Sequence, residues 1–368
     1  MSLKVLHYLD TANFAGTEAH VLALIQSVDR SLFSPSLCCR AGSILHQRAL
    51  AAGIECHSVS SLSSLTSLLK AGKFALVHAH DGNSKIKALL ASLWLNPRPK
   101  IIATQHFVEP AYTKRHGWKG WASRIAHSIV NTQVSRHIAV SQAVREAMVH
   151  RGEAPSSRIS VVPNGVTIDR SSAELTAVAK RSELRVDEAT PLIVTVARLA
   201  PEKGISYLVR AIKEVKASLI PLSVVIVGDG ALRQSLEKEV SDLDLSSTVK
   251  FLGFREDVLA IVAAADIFVL PSIAEPFGIA LVEAMALGKP CIAVNAGGPV
   301  EIVADGETGI LVPACDPHAL ADAIINLVQN GGRAKAMGAE GMRRAEERFS
   351  AKAMGKLTDG VYQQALGS

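Results

Sequence analysis

The sequence has 368 residues, of which 48% are hydrophobic, 20% are charged and 4% are aromatic. This length is typical of two domains of roughly 150 residues each, and the composition excludes an intrinsically disordered chain. The low aromatic content argues against a stacking surface for nucleic acid. No stretch approaches the ~20 uncharged residues that a membrane-spanning helix needs, so we expect no such helix.

The cysteines and the charge distribution narrow the class of protein further. The five cysteines are odd in number and form no Cys-x-x-Cys pair, which argues against a disulfide framework or a zinc ribbon and favours the cytoplasm.

The charge is distributed unevenly between the two halves of the chain. Residues 1–168 hold 18 Lys and Arg against 8 Asp and Glu, a balance of +10, whereas residues 169–368 hold 21 against 26, a balance of −5. This split favours two domains with different partners, but it leaves nucleic acid, lipid head groups and an anionic substrate open.

Short β-rich runs alternate with longer amphipathic segments along the chain. The first segment, MSLKVLHYLD, is predicted to be a strand, and it does not have the apolar region that is typical of a signal peptide. The predicted strands are 4–9, 37–39, 54–59, 74–79, 100–104, 137–141, 159–163, 191–197, 222–228, 249–253, 266–271, 290–294 and 309–313. Their nearly unbroken apolar character predicts parallel sheets covered by helices on both faces. We therefore expect an α/β protein with two doubly wound domains, connected by the charged stretch 167–190.

Ligands of open α/β sheets bind outside the carboxyl ends of the strands, so motifs that follow strands carry the most information. In the segment 272–294, Glu275 lies in a loop and Gly278 opens an apolar helix that is interrupted by Glu283. A buried carboxylate is costly without hydrogen-bond donors and is typical of functional sites, although backbone or water could satisfy it. The N–H groups near Gly278 could receive a phosphate.

A second motif follows the first strand of the second half. Arg198 and Lys203 flank a loop, and Gly204 opens the next helix. Two cations beside a helix N-terminus favour a bound anion such as a diphosphate, and a solvated loop is the alternative. Gly228 and Gly230 mark a later strand-to-helix turn, but the GxGxxG fingerprint is incomplete and no Walker A pattern occurs. This argues against a nicotinamide enzyme and a P-loop NTPase.

The first half offers weaker candidates. Gly16 and Thr17 start a predicted helix that could face an anion, unless Thr17 is a plain helix cap. His106 follows a strand and is a candidate hydrogen-bonding or acid–base group, with a structural histidine as the alternative. His78 and His80 share one face of a strand, but we expect no metal site there because no third ligand has a suitable spacing.

Seven motifs occur in a characteristic order: AGTE (15–18), TQHF (104–107), VVPNGV (161–166), VARLAPEKG (196–204), VGDG (227–230), FLGF (251–254) and EPFGIALVEA (275–284). Together they resemble the large retaining Glu-x7-Glu glycosyltransferase family (family 4-like, group 1), with Ala15 where the family usually has a second glycine. The resemblance covers almost the whole chain and implies the GT-B architecture of two facing Rossmann-like domains. It implies an acceptor-side domain at 1–167, a nucleotide-sugar donor domain at 168–351, and a C-terminal helix at 352–368 that packs back on the first domain.

The resemblance also implies roles for individual residues on the nucleotide side of the donor. Arg198 and Lys203 would hold the donor diphosphate, and Gly16 would border it. Glu283 would accept hydrogen bonds from the ribose hydroxyls, and Gly228 would belong to the donor-binding set. The leaving nucleoside diphosphate develops negative charge, which fixed cations and helix N–H groups stabilise, so we expect no metal and no other cofactor.

On the sugar side, the resemblance implies that Glu275 contacts the transferred sugar and that His106 reaches it from the other domain. Backbone groups that would assist Glu275 belong to Phe277, Gly278 and Ile279. The family retains the anomeric configuration through front-face attack in an ion-pair-like transition state. Glu275 is therefore better described as a positioning or charge-stabilising group than as the nucleophile of a two-carboxylate glycosidase.

The function implied by the resemblance is a retaining, metal-independent hexosyltransferase. Its donor would be a UDP-sugar, with GDP-mannose as a second option, and its acceptor would belong to glycan, glycolipid or cell-envelope polysaccharide synthesis. The identity of the acceptor, whether a sugar, a lipid-linked group or another molecule, stays open. Two other functions also stay open, namely a GT-B sugar-nucleotide epimerase and a non-catalytic sugar-nucleotide-binding protein. We expect no nucleic-acid partner.

The segment 113–124 suggests where the protein resides. Lys114, Arg115, Lys119 and Arg124 interleave there with Trp118 and Trp121. Tryptophan beside cationic residues suits an anionic membrane surface, so we expect a cytoplasmic protein with peripheral contact at the inner face of the membrane. The alternative is a helix whose tryptophans pack inward and whose cations are solvated.

Overall fold

The computed structural model describes residues 2–11, 16–109 and 117–367, except for the side chain of Lys119. The chain divides into two compact units. Unit 1 comprises Met1–Val166 and Ser350–Ser368, and unit 2 comprises Thr167–Phe349. Each unit has a parallel β-sheet with helices packed on it, so the α/β class predicted from the sequence is confirmed.

Unit 1 is built around its first strand. Its strands are β1 (Leu3–Leu9), β2 (Phe33–Cys39), β3 (Cys56–His57), β4 (Leu76–Ala79), β5 (Lys100–Gln105), β6 (Arg136–Ala139) and β7 (Ile159–Val161). Its helices are α1 (Gly16–Ser27), α2 (Ile44–Ala51), α3 (Leu62–Gly72), α4 (Gly82–Ser92), α5 (Gly117–Thr132), α6 (Gln142–His150) and α15 (Ala351–Leu366). The sheet order is β3-β2-β1-β4-β5-β6-β7. The order reverses between β1 and β4, which is where open α/β sheets bind ligands.

Unit 2 repeats this arrangement. Its strands are β8 (Leu192–Val196), β9 (Ser223–Val227), β10 (Val249–Gly253), β11 (Ile267–Leu270), β12 (Cys291–Val294) and β13 (Gly309–Val312). Its helices are α7 (Arg170–Glu183), α8 (Ile205–Ala217), α9 (Arg233–Asp242), α10 (Val258–Ala263), α11 (Ile279–Ala286), α12 (Pro299–Ile302), α13 (Pro317–Gln329) and α14 (Gly331–Phe349). The sheet order is β10-β9-β8-β11-β12-β13, so the reversal lies between β8 and β11.

The predicted strands are all confirmed, and their ends shift in every case except 249–253. The run Val224–Val227 shows why the prediction works, since all four side chains are buried as the middle of a two-sided sheet requires. The predicted apolar face of α8 is also buried. It consists of Ile205, Leu208, Val209, Ile212 and Val215. These side chains join the sheet residues in the main core of unit 2.

The stretch 167–190 differs from its prediction as a connection, because most of it forms α7 inside unit 2. Polar contacts attach this helix to its neighbours. Lys180 Nζ lies 2.5 Å from Asp257 Oδ2, and Arg181 Nη1 lies 2.9 Å from Asp266 Oδ2. Because ion pairs rather than an apolar stripe attach α7, the spacing of apolar residues in the sequence does not indicate a helix there.

Helix α15 returns the end of the chain to unit 1. Met354, Val361 and Tyr362 pack into a core cluster with Val5 and Leu24, while the Tyr362 hydroxyl reaches buried histidines of the sheet. This packing ties the last helix to the first strand. None of the helices in the described ranges is long and apolar enough to cross a membrane.

Candidate functional site

The carboxyl edge of the unit 2 sheet brings together the loops that follow β8, β9 and β11. The Leu199 N–H donates a hydrogen bond to the Asp229 carbonyl at 2.9 Å, and the Ile273 N–H donates one to the Glu202 carbonyl at 2.9 Å. These bonds fix the three loops against each other at the point where the strand order reverses. The predicted donor residues of the second half therefore belong to one connected edge.

Gly204 shows why this edge needs glycine. Its φ is +63°, and a Cβ atom there would lie 2.1 Å from the carbonyl oxygen of Pro271. A larger residue would therefore separate the loop after β8 from the loop after β11.

Gly228 lies at the end of β9, where its N–H donates to the Gly253 carbonyl at 2.8 Å. Gly228 thus has a structural role, and its predicted contact with the donor stays a prediction.

Lys203 and Glu275, which are 72 residues apart in sequence, form an ion pair. Lys203 Nζ donates to Glu275 Oε2 at 2.7 Å, and Glu275 is 9% exposed. The family resemblance places the lysine at the diphosphate and the carboxylate at the sugar, but it does not predict their contact. The pair holds both groups in position, and two of the three ammonium N–H donors are left for a ligand.

Arg198 lies in a more open place. Its side chain is 69% exposed, and its Nη2 donates to Glu202 Oε1 at 2.5 Å. A backbone hydrogen bond, with help from Arg198 and Lys203, keeps the pKa of Glu202 below its ordinary value. An exposed pair of this kind contributes little stability. No motif in the sequence distinguishes Glu202 from other surface carboxylates.

Helix α11 begins directly after the Glu275 loop. Gly278 is its N-cap with a φ of +113° and makes no side-chain cap hydrogen bond, and Ile279 is the first helical residue. The first N–H groups of a helix have no partner inside it, so this uncapped end can receive an anion. Phe277 is buried, and its ring packs at 5.9 Å from that of Phe349. The predicted donor contact of Phe277 therefore concerns its backbone.

Glu283 lies one turn further along α11. Burial raises the pKa of its carboxyl group to about 7. Its side chain makes no hydrogen bond or ion pair with the residues that the structure describes. A carboxylate in such surroundings gains strongly from any hydroxyl that donates to it. The residue is half-buried, so the sequence-based expectation of a buried acidic group is met in part, and its contact with a ribose stays a prediction.

The loop after β12 supports this site and was missed by the sequence analysis. The Gly298 N–H donates to the Glu275 carbonyl at 2.9 Å. A Cβ atom on Gly298 would lie 2.3 Å from the Phe277 Cα, so this close approach requires glycine. The signal available in the sequence was a Gly-Gly pair between a strand and Pro299.

In unit 1, Gly16 is the first residue of α1 and is exposed. Ala15, the residue of AGTE that departs from the family pattern, lies outside the described residues. Thr17 and the buried Glu18 continue the first turn of α1. The structure therefore places Gly16 at a helix start, as the sequence predicts, while its contact with a diphosphate stays a prediction.

The carboxyl edge of the unit 1 sheet carries five buried histidines, which we call the histidine cluster. They are His7 on β1, His20 on α1, His78 on β4, and His80 and His106 just beyond β4 and β5. The reason given above for rejecting a metal site at His78 and His80 is wrong. His7 pairs in register with His78, so the neighbouring strand supplies a third imidazole that lies far away in sequence.

One part of the cluster is a closed hydrogen-bond network. His7 Nδ1 and His80 Nε2 share a hydrogen bond at 3.1 Å, and the Tyr362 hydroxyl lies 3.3 Å from His7 Nε2. His78 binds Tyr362 through Nδ1 at 2.8 Å and Thr104 through Nε2 at 2.7 Å. Buried polar groups that are satisfied in this way stabilise a unique core arrangement.

The cluster is neutral at physiological pH. Burial lowers the pKa of His7 to about 3 and that of His20 to about 4, with the Asn164 side chain partly opposing the change at His20. Burial also holds the pKa of His106 well below its ordinary value. His106 can therefore donate or accept a hydrogen bond, but it carries no positive charge near pH 7.

Comparison with known proteins identifies the family. Residues 178–344 match the family "Glycosyl transferases group 1", and residues 14–170 match "Glycosyltransferase Family 4". The UDP-Gal:alpha-D-GlcNAc-diphosphoundecaprenol alpha-1,3-galactosyltransferase of Escherichia coli is 30% identical over 82% of this chain and 75% of that protein. The chain belongs to the group 1 glycosyltransferases.

A second relative supports this assignment, and a solved structure shows the fold. The GDP-mannose-dependent monoacylated alpha-(1-6)-phosphatidylinositol monomannoside mannosyltransferase of Corynebacterium glutamicum is 32% identical over 72% of this chain and 70% of that protein. The crystal structure of HepE from Anabaena in complex with UDP-glucose aligns with a TM-score of 0.83 at 22% identity, over 98% of this chain and all of that one. The fold of this glycosyltransferase is therefore GT-B, with two Rossmann-like domains.

Proposed function

We propose that this glycosyltransferase is a retaining, metal-independent hexosyltransferase whose unit 2 binds a nucleoside-diphosphate sugar. The Lys203–Glu275 ion pair carries this proposal, because it places a cation and a buried carboxylate 2.7 Å apart beside an uncapped helix start. A UDP-sugar is the favoured donor and GDP-mannose the second. The names of relatives support both, since one is a UDP-Gal-dependent galactosyltransferase and another a GDP-mannose-dependent mannosyltransferase.

The diphosphate would lie between Lys203 and Arg198. Lys203 keeps its position through Glu275 and offers its remaining N–H donors to the phosphate oxygens. Arg198 would exchange the Glu202 carboxylate for a phosphate oxygen. Both cations then oppose the negative charge that develops on the leaving group, and they are fixed before the reaction begins.

The nucleoside would be held through its ribose. The hydroxyls donate to Glu283, whose carboxylate has no other partner among the described residues. These contacts exist in the ground state and in the transition state alike. Glu283 therefore contributes mainly to binding rather than to the chemical step.

The sugar would contact Glu275 and the uncapped end of α11. Glu275 is committed to Lys203, so it serves as a positioning and charge-stabilising group in front-face attack, not as a covalent nucleophile. His106 of unit 1 would hydrogen-bond to the same sugar as a neutral imidazole. The acceptor would be a glycan, a glycolipid or an intermediate of cell-envelope polysaccharide synthesis.

A thermal-shift panel of UDP, GDP and ADP tests the donor assignment. A ligand at 100 times its dissociation constant stabilises the protein by ~2.7 kcal/mol, so the preferred nucleotide is readily ranked. We expect the largest shift with UDP. Incubation with the matching sugar nucleotide alone then separates the functions, because an epimerase forms an epimer, a transferase at most hydrolyses the donor slowly, and a binding protein leaves it intact.

Glycosyl transfer is expected to survive removal of divalent metal ions. Lys203 and Arg198 supply the positive charge that a metal ion would otherwise provide to the leaving diphosphate. The measurement is turnover after dialysis against EDTA, with untreated protein as the control. Loss of turnover that magnesium or manganese restores would contradict the metal-independent mechanism.

Helix α5 is expected to bind anionic membranes. Its side chains Trp118 and Trp121 are 76% and 64% exposed, so the predicted alternative of inward-packed tryptophans does not hold. Ile125 and Ile129 continue the same exposed stripe at spacings of four residues. An exposed apolar stripe on a basic domain is typical of interfacial helices, and each cation near an acidic leaflet contributes ~1 kcal/mol.

Liposome co-sedimentation measures this binding. We expect sedimentation with anionic vesicles and none with neutral ones. A Lys114→Glu, Arg115→Glu and Lys119→Glu variant should lose at least ~100-fold in affinity, because three favourable contributions become repulsive. The matched control reverses three exposed lysines of unit 2, Lys213, Lys238 and Lys335, and should bind as the wild type does. Failure of the wild type to bind anionic vesicles at low salt would indicate a soluble acceptor.

A further inference from the structure

Three members of the histidine cluster have ring nitrogens that find no hydrogen-bond partner among the described residues. They are Nδ1 of His80, Nε2 of His106 and the two nitrogens of His20, whose ring lies beside the Asn164 side chain but outside good hydrogen-bond geometry. The three side chains are 3%, 2% and 9% exposed, so bulk water does not replace the missing partners. An unsatisfied buried polar group costs about 1–3 kcal/mol, so four such atoms in one place need a partner, which is either an ordered water or a ligand.

The other histidines of the cluster do not share this property. His7 and His78 use both of their ring nitrogens in the closed network with Tyr362, Thr104 and His80. Their arrangement is explained by core hydrogen bonding alone. The unexplained nitrogens are therefore confined to His20, His80 and His106.

These three residues have the separation expected of metal ligands before metal binding. One ring nitrogen from each lies within 4.8 Å of the other two. A tetrahedral Zn²⁺ ion with Zn–N distances of about 2.0–2.1 Å holds its ligand nitrogens about 3.3 Å apart. Side-chain movements on the order of 1 Å would close the site around the ion. The ligands come from α1 and from the ends of β4 and β5, so the sheet fixes their common location.

His80 also has the support that metal-binding histidines need. Its Nε2 shares a hydrogen bond with His7 Nδ1, which orients the ring and leaves Nδ1 as the ligand atom. His7 is held in turn by the Tyr362 hydroxyl. Asn164 lies beside His20, and its buried Oδ1 likewise has no partner among the described residues. This oxygen or a water molecule can complete a fourth position.

The chemistry of the donor set favours a transition metal. Neutral imidazole suits Zn²⁺, Cu²⁺ and Ni²⁺, whereas Mg²⁺ and Ca²⁺ require oxygen ligands. The site is thus suited to Zn²⁺ and not to Mg²⁺ or Mn²⁺, which prefer oxygen ligands.

We propose that His20, His80 and His106 form a zinc-binding site in unit 1, and that the bound ion inhibits glycosyl transfer by occupying His106 Nε2. The inhibitory part rests on the proposed function, in which His106 contacts the transferred sugar. It agrees with the expected survival of turnover in EDTA, because chelation would then release a blocked histidine.

Metal titration of the chelator-treated full-length protein tests the site without any substrate. Co²⁺ is the probe, since its visible absorption reports tetrahedral nitrogen ligation, and Zn²⁺ should displace it. We expect one equivalent per chain in the wild type. His20→Leu keeps the side-chain volume and removes two unsatisfied nitrogens, so it should fold, and its affinity should fall by more than tenfold. His20→Asn is the second variant if folding fails.

His137→Leu is the matched control. His137 is also buried, and its Nε2 also has no partner within the described ranges, but it lies outside the cluster. It should leave Co²⁺ affinity unchanged. Absence of binding by the wild type, or equal affinity in His20→Leu, would overturn the site.

A second arm measures turnover with added Zn²⁺. We expect inhibition of the wild type with the same midpoint as binding, and reversal by EDTA. Binding without inhibition would overturn the inhibitory role. Absence of turnover with every sugar nucleotide would count against the proposed function instead, because the Co²⁺ spectrum is recorded without substrate.

Discussion

Lys203→Ala is expected to lower kcat about 10²–10³-fold, the loss that follows removal of one preorganised charge-stabilising donor. The variant removes a contact to the leaving diphosphate at the moment when its negative charge develops. Arg198→Ala should act in the same direction for the same reason. The measurement is release of nucleoside diphosphate under saturating donor, together with the melting temperature.

The matched control for this prediction is Lys238→Ala. Lys238 makes an exposed i,i+4 pair with Asp242, which contributes little to stability and nothing to the site. Because Lys203→Ala also leaves the buried Glu275 without its partner, a Lys203→Met, Glu275→Gln double variant checks the fold. It should regain stability but not turnover. Wild-type turnover in Lys203→Ala would reject the diphosphate assignment.

Glu283→Gln is expected to weaken nucleoside diphosphate binding by about 10–150-fold above pH 7, because hydrogen bonds to a charged group contribute ~1.5–3 kcal/mol. The pKa of Glu283 is raised from 4.5 to about 7 in the folded protein. A raised carboxyl pKa means that free energy of unfolding is lost as the pH increases through about 7. Without ligand, the glutamine variant should therefore be more stable than the wild type at pH 8, and the difference should vanish below pH 4.5.

The same titration sets the pH dependence of binding. Ribose hydroxyls donate to the ionised Glu283, so the affinity of the wild type for UDP should increase with pH up to about 7. In the glutamine variant, the pH dependence of binding comes only from the phosphate of UDP, so this variant serves as the reference. Calorimetry in buffers of different ionisation enthalpy should detect more proton release on binding to the wild type than on binding to the glutamine variant. Parallel pH profiles for the two proteins would contradict the role of Glu283.

Glu275→Gln provides the contrast. Its partner Lys203 already offsets its charge, and its contact with the sugar strengthens as the reaction proceeds, so turnover should fall more than nucleotide affinity. Glu283→Gln should show the reverse order. Equal effects of both variants on binding and on turnover would reject this division of roles.

The sequence predicts the strands well because buried parallel strands are continuous apolar runs, as 224–227 illustrates. It fails at α7, where Lys180 and Arg181 attach the helix through charges that have no periodicity. The sequence indicates Lys203 and Glu275 separately as candidate site residues, because each follows a strand. It does not predict the ion pair between them, since they are 72 residues apart. Contacts between residues so far apart in the sequence depend on which strands are neighbours in the sheet.

The sequence does not predict the histidine cluster, and the reason is the same. His7 and His80 are 73 residues apart and meet only because β1 and β4 are adjacent at the reversal of strand order. A search for ligands at short spacing, such as the one around His78, cannot detect this proximity. Side chains at the carboxyl ends of all strands need to be considered together.

Incubation of the purified protein with a radiolabelled UDP-sugar and membrane lipids from the cells that produce it tests the central claim most directly. Transfer is followed as nucleoside diphosphate release together with label in the lipid or glycan fraction, and the new linkage is assigned by NMR. We expect stoichiometric release and transfer with an α linkage from an α-linked donor in the presence of EDTA, and a rate that Lys203→Ala lowers about 10²–10³-fold. Conversion of the donor to an epimer, a β-linked product, or binding of the donor with no release of nucleoside diphosphate would contradict a retaining glycosyltransferase.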